Sequence, residues 1–277
     1  MICTFISSID YEEILAKNIE SRVDLTSLET FTIDPVDAKD FDDAISITKT
    51  NGCIDLYVHI ADVSAFVEHE DETDLVARKL GNSYYFDEET LHMLPDELST
   101  NFLSLKPGVK RLAFSVKIAM DEDINIKEYK FFESVISSDK RFTYQDAEDL
   151  LDAKAKNVFK KSLYLLLELT KKLKVQRLSI DGFDMNYEDF SFKLDDKNNS
   201  LSIQKNKRLK SHVIVEECML LANRLASEKM LEHVSEHKHL GIYRNHESPS
   251  LKSVNFIVDL MLHLNHYSSG NILSASD

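Results

Sequence analysis

Between Ile33 and Ala44 the chain reads Ile33-Asp34-Pro35-Val36-Asp37-Ala38-Lys39-Asp40-Phe41-Asp42-Asp43-Ala44. Carboxylates this close together repel one another unless a cation sits among them. Hard oxygen ligands in such number suit Mg²⁺ or Mn²⁺. Two such ions a few ångströms apart can activate a water and stabilise the leaving oxygen of a phosphodiester. In extended backbone Asp34, Asp40 and Asp42 share one parity and Asp43 the other, so convergence of all four requires a bend where the run enters the next strand.

Rival chemistries fit less well. An EF-hand loop wants oxygen ligands at alternate positions, a sixth-position Gly and a twelfth-position Glu, where this run offers Val36, Lys39 and Ile45. A phosphatase with an aspartyl nucleophile places Asp-x-Asp after a buried apolar strand, whereas Asp40 follows Asp37-Ala38-Lys39. A solvated acidic turn is the plain alternative, and the surroundings of the run must decide it.

The run leads into a hairpin. Residues 44–48 and 54–60 alternate in period two around Asn51-Gly52, a dipeptide that readily takes positive φ. Before it, Tyr11–Ile19 has the pattern of a short helix, and residues 1–30 as a whole read as a lead-in linker. After it, residues 71–80 predict a helix stopped by Gly81. The cluster Tyr84-Tyr85-Phe86 and an irregular stretch through Pro95 and Pro107 then form an expected functional surface. Residues 111–120 and 124–137 predict a second hairpin across Asp121-Glu122-Asp123.

The pattern then turns helical. Thr143-Tyr144-Gln145-Asp146 has the form of a capping box with Asp in the Glu position, and leucines at helical spacing follow to Leu173. A small hairpin over residues 190–204 and an amphipathic helix over 213–231 come next. A last helix is expected from Ser248-Pro249 to about His263, with Ser248 as N-cap. The fold class is therefore α+β: antiparallel hairpins around an acidic metal site, with helices packed on the sheet.

Bulk properties set bounds. A chain of 277 residues with 43% hydrophobic content can build a real core, and 6 Gly and 4 Pro leave little room for disorder. Neither a signal peptide nor an uncharged span of membrane length is evident, so a cytoplasmic protein without membrane contact is expected. Cys3, Cys53 and Cys218 lie far apart without zinc spacing, so no disulfide partner is expected. A net charge of −15 argues against holding nucleic acid by a general basic surface. Acidic residues that bind metal do not repel phosphate, however, and basic accessory domains can lie outside this chain.

With its flanks, Thr30-Phe31-Thr32-Ile33-Asp34-Pro35 through Asp40-Phe41-Asp42-Asp43-Ala44 resembles the signature of the RNase II/RNase R (RNB) family of 3′-to-5′ exoribonucleases. The resemblance continues, in order, through Val58-His59-Ile60-Ala61-Asp62-Val63-Ser64, Met93-Leu94-Pro95-Asp96-Glu97-Leu98-Ser99 and Ser104-Leu105-Lys106-Pro107. Glu216-Glu217-Cys218-Met219-Leu220-Leu221-Ala222-Asn223 and Tyr243-Arg244-Asn245-His246-Glu247-Ser248-Pro249 complete it. It covers residues 22–250 and is nearer RNase R than RNase II.

The resemblance implies that Asp34, Asp40, Asp42 and Asp43 hold Mg²⁺, with Mn²⁺ as a substitute, and that Asp42 and Asp40 carry catalysis. Asp37 falls where the family varies. Tyr85 matches a tyrosine that stacks on a base near the RNA 3′ end; stacking tolerates any sequence because every base has a π-face. Phe183 matches a second base-clamping aromatic, offset by what looks like one inserted residue. Arg244 and His246 match an RNA-channel segment, a capping or salt-bridged pair being the other reading. His59 reads as a hydrogen-bonded structural residue with Asp62 in support, and Glu216 and Glu217 as packing and salt-bridge residues.

The activity implied is hydrolysis of single-stranded or structured RNA to nucleoside 5′-monophosphates by two metal ions. Family members finish the catalytic domain with an Arg-rich segment and a later glutamate, and add OB-type and cold-shock domains; none of these is in the sequence. The expectation is thus a partial catalytic domain over residues 31–277 with a missing C-terminal polypeptide. The alternative is an impaired remnant that binds metal or RNA, or half of a split enzyme.

Overall fold

The acidic run is held at the edge of a hairpin formed as its turn residues dictate. Asn51 and Gly52 adopt φ of 52° and 80°, joining β3 (Asp43–Thr50) to β4 (Cys53–Ala61) in continuous antiparallel register from Asp43↔Ile60 to Thr50↔Cys53. In the computed structural model, residues 10–86, 90–153, 157–180, 189–195, 200–237 and 247–263 are described. Phe183, Arg244 and His246 lie outside them.

The remaining elements are α1 (Tyr11–Ile19), β1 (Val23–Asp24), β2 (Phe31–Asp34), α2 (Glu72–Leu80), β5 (Tyr84–Tyr85), β6 (Thr90–Leu91), β7 (Lys110–Met120), β8 (Ile126–Ser137), β9 (Lys140–Thr143), α3 (Tyr144–Asp152) and α4 (Lys160–Ile180). They are followed by β10 (Asp189–Asp195), β11 (Ser200–Asn206), α5 (Lys210–His237) and α6 (Leu251–His263). Caps match their sequence signals. Asp71 caps α2, Gly81 ends it at φ 68°, and Thr143 and Asp146 form the reciprocal box on α3. The last helix departs from expectation: it begins at Leu251, and Ser250, not Ser248, accepts the Ser253 N–H at 3.1 Å.

Seven strands form one sheet in the order β1-β8-β7-β4-β3-β2-β9. Its centre is antiparallel, but both edges are parallel pairings, β1 with β8 and β2 with β9, so the sheet is mixed. Residues 11–24, expected as linker, build into this unit. Tyr11 of α1 packs on Phe66 and Phe102 in the core, and β1 is an edge strand.

Two apolar layers cover the sheet. Alternate residues Ile45, Ile47, Leu56, Val58, Val116 and Ile118 meet α3, α4 and the first part of α5 through Ala147, Leu151, Leu163, Leu166, Ile214 and Leu221. A second cluster gathers Ala44, Ala61, Leu112, Val135 and Ile136 with Phe41, Phe66 and Phe102. Through the sheet's middle runs a buried polar chain. Ser46 Oγ contacts Thr30 Oγ1 at 2.7 Å and His59 Nε2 at 3.1 Å, and His59 Nδ1 contacts Ser115 Oγ at 2.7 Å. His59 is thus structural.

Residues 1–226 form this unit; residues 227–277, with the end of α5 and α6, form a second. Among the described residues no helix is long and apolar enough to cross a membrane. Cys53 and Cys218 are free thiols.

Candidate metal centre

The loop from Asp34 to Asp42 is pinned along its length. Pro35 C=O accepts the Ala38 N–H at 3.2 Å, closing a turn. Ser104 Oγ donates to Lys39 C=O at 2.7 Å and accepts the Phe41 N–H at 3.1 Å, while Phe41 C=O accepts the Leu105 N–H at 2.9 Å. Ser104 is fixed in turn by a single wide turn at Leu98–Phe102, where the Leu103 N–H reaches back to Leu98 C=O. The irregular stretch around Pro95 and Pro107 therefore buttresses the aspartates.

Asp34 ends β2 and is buried, 7% exposed, with no hydrogen-bond partner for Oδ2 among the described residues. Burial pushes it up to about 6. The adjacent Thr32 hydroxyl and Arg141 pull the other way, and Asp42 and Asp40 push with burial. Asp43 opens β3 and is raised to about 7 by burial, then by Asp34 and Asp42. Asp42 lies more open, yet is raised by its surroundings and by Asp40, with His92 opposing. Asp34, Asp42 and Asp43 are thus each raised first by burial and then by neighbouring carboxylates.

They do not share one point. Asp34, Asp40 and Asp42 line a cleft of about 910 Å³ with Asp37, Tyr85, Phe86, His92, Asp96 and Thr100. Asp43, on the parity of Ile45, is sensed by half-buried Tyr144 and buried Cys218 towards the helices. Among the described residues no three side chains are gathered as a ready coordination group. The donor set nonetheless fits a hard divalent cation. Its members are carboxylates, and three are raised by burial and by neighbouring carboxylates, both of which a bound cation would offset.

Tyr85 stands 68% exposed at the cleft mouth, its hydroxyl donating to Asp40 Oδ2 at 3.1 Å. His92 meets the Tyr85 ring edge-on at 6.5 Å and sits 3.4 Å from Asp96. Asp62 forms a buried ion pair with Arg22 at 2.6 Å, away from the cleft lining. Glu217 pairs with Arg177, and Glu216 with Arg208.

Sequence reasoning missed Arg141 and His92. Arg141 is 106 positions from its partner Pro35, and no local pattern marks it; its only signal is its place just before the capping box. His92 stood beside the quoted Met93-Leu94-Pro95 motif, and a lone histidine gives no spacing to read.

The RNB domain model matches residues 22–276. The chain belongs to the RNB family. Ribonuclease R of Aquifex aeolicus (strain VF5) is 36% identical over 257 residues, covering 90% of this chain and 36% of that protein. The chain therefore spans about a third of that relative's length. Mycoplasma genitalium RNase R, solved in complex with ribose-methylated single-stranded RNA, superposes with a TM-score of 0.83 at 28% identity, over 97% of this chain and 41% of that one. Yeast Ssd1, a pseudonuclease, shares the fold with a TM-score of 0.74 at 19% identity, over 92% of this chain and 31% of its own. The mixed sheet with helices packed on it is thus the RNB fold, and activity must be argued from the residues.

Proposed function

We propose that this chain carries the carboxylate centre of a 3′-to-5′ exoribonuclease that hydrolyses RNA to nucleoside 5′-monophosphates. One observation carries the reading: Asp34, Asp40 and Asp42 line a single cleft with the exposed Tyr85, and the charge of Asp43 bears on this group through Asp34 and Asp42. Asp34, Asp40, Asp42 and Asp43 would hold Mg²⁺ or Mn²⁺. When bound, such ions supply Lewis acidity towards the scissile phosphate and the attacking water. Tyr85 offers its ring to the 3′-terminal base while its hydroxyl holds Asp40 in place. Ser104 and the wide turn behind it keep the aspartate loop from splaying.

The supporting comparison is the likeness to Ribonuclease R and to an RNase R solved with RNA. Purified chain with end-labelled single-stranded RNA and Mg²⁺ should give progressive shortening from the 3′ end, abolished in Asp42→Asn. Absence of shortening beside an active full-length relative would remove the enzymatic reading.

A second reading is favoured by the dispersed carboxylates: a chain that binds metal or RNA without turnover, or acts with a separately supplied C-terminal polypeptide. Metal uptake without RNA shortening, with activity appearing on addition of the remaining third-party segment of a full-length relative, would identify it.

A further inference from the structure

We infer that Arg141 is the positioning residue of the aspartate loop, a staple that fixes Asp34 and the segment leading to Asp40 for cation binding. The inference rests on the metal reading above. Arg141 lies on β9, directly opposite Thr32 of β2. Its Nη2 donates to the carbonyls of both Pro35 and Val36, the latter at 3.0 Å. Its guanidinium lies over the Phe41 ring at 5.4 Å. One side chain thus grips both ends of the loop that runs between Asp34 and Asp42.

A second observation concerns the face that Arg141 shares with Thr32 and Asp34. Arg141 Nε is buried without a hydrogen-bond partner among the described residues, and the buried Thr32 hydroxyl bears on the Asp34 carboxylate. Buried polar atoms are ordinarily satisfied by protein, water or an ion. Register places Thr32 beside Arg141 and Asp34 two residues along the same strand face. Arg141 and Thr32 thus both flank Asp34, and the charge of Arg141 bears on its carboxylate.

Both carbonyl bonds leave the single Nη2, and the flat guanidinium face on Phe41 is what the role demands. A guanidinium can donate to two carbonyls while its face rests on an aromatic ring, whereas an ammonium is a single flexible point charge. Removing the side chain frees Pro35 and Val36 and withdraws a positive charge from Asp34, a charge that Arg141→Lys retains.

The test is isothermal titration of Mn²⁺ into the full chain and into its Arg141→Ala and Arg141→Lys variants, with hydrogen exchange read over residues 35–41. Expected are a loss of Mn²⁺ affinity of about 10- to 100-fold in both variants, as for other groups that orient metal ligands. Exchange should be faster in residues 35–41 and unchanged in β3 and β4. Guanidinium ion added to Arg141→Ala should recover part of the affinity. Full rescue by lysine would reduce Arg141 to a charge and overturn the staple. So would unchanged Mn²⁺ binding in both variants, or protection lost throughout the sheet in both. If the wild-type chain itself takes up no Mn²⁺, the metal reading fails instead.

Discussion

The Tyr85 hydroxyl donates to Asp40 Oδ2 across 3.1 Å, tying the exposed ring at the cleft mouth to a carboxylate of the cleft wall. The ring and the hydroxyl can be separated by substitution. Tyr85→Phe keeps the stacking surface, whereas Tyr85→Ala removes it. In fluorescence anisotropy with a single-stranded oligoribonucleotide and Ca²⁺ in place of Mg²⁺, Tyr85→Ala should weaken binding by about 1–3 kcal/mol, and Tyr85→Phe by less than about threefold. Equal losses would place the contribution in the hydroxyl.

Burial raises two of the carboxylates. Asp43 is raised to about 7 and Asp34 to about 6, both above the ordinary 3.8. The native state therefore binds protons more tightly than the unfolded chain, and stability falls as pH rises from about 4 through 7. At pH 8 without metal, Asp43→Asn should raise the unfolding free energy by about 2 kcal/mol and should lose the Mn²⁺-dependent gain in Tm. A lower metal-free stability in urea titration would contradict the coupling.

His59 acts with the opposite sign. It is wholly buried between Ser46 and Ser115, and burial holds it near 3 against an ordinary 6.5. The unfolded chain then takes up the proton first, so stability is full above about 6.5 and declines as pH falls towards 3. The limiting slope is about 1.4 kcal/mol per pH unit. Measured in the Asp43→Asn background, which lessens the opposing carboxylate contribution, His59→Gln should flatten this acid limb. An unchanged slope would assign the limb elsewhere.

Much of the local structure could be read in advance because its causes are local. Asn51-Gly52 turns because its φ values are positive, and Thr143 with Asp146 closes a cap within four residues. The aspartate run stood out by residue type, and Asp34, Asp40 and Asp42 do line one cleft. What escaped was long-range: β1 joining β8, β9 joining β2, and Arg141 reaching back to Pro35. Parity foretold that Asp43 would face away from Asp40 and Asp42; the bend that would gather all four is only partly made. The Ser248-Pro249 pair was a sound start signal, but Ser250 offered the same cap two residues later.

The Arg22–Asp62 pair is a stability element, not a site. Both side chains are almost fully buried and 2.6 Å apart, and Arg22 precedes edge strand β1. Arg22→Met leaves an unpaired buried carboxylate and should cost about 3–5 kcal/mol in urea unfolding. A loss below about 1 kcal/mol would show that Asp62 finds water or another partner.

The most direct measurement is Mn²⁺ binding followed by electron paramagnetic resonance, comparing the wild-type chain with Asp42→Asn. Saturable uptake by the wild type, weakened at least about tenfold by the substitution, is the result expected of a carboxylate centre built for divalent cations. No saturable uptake, or equal uptake by both, would contradict it.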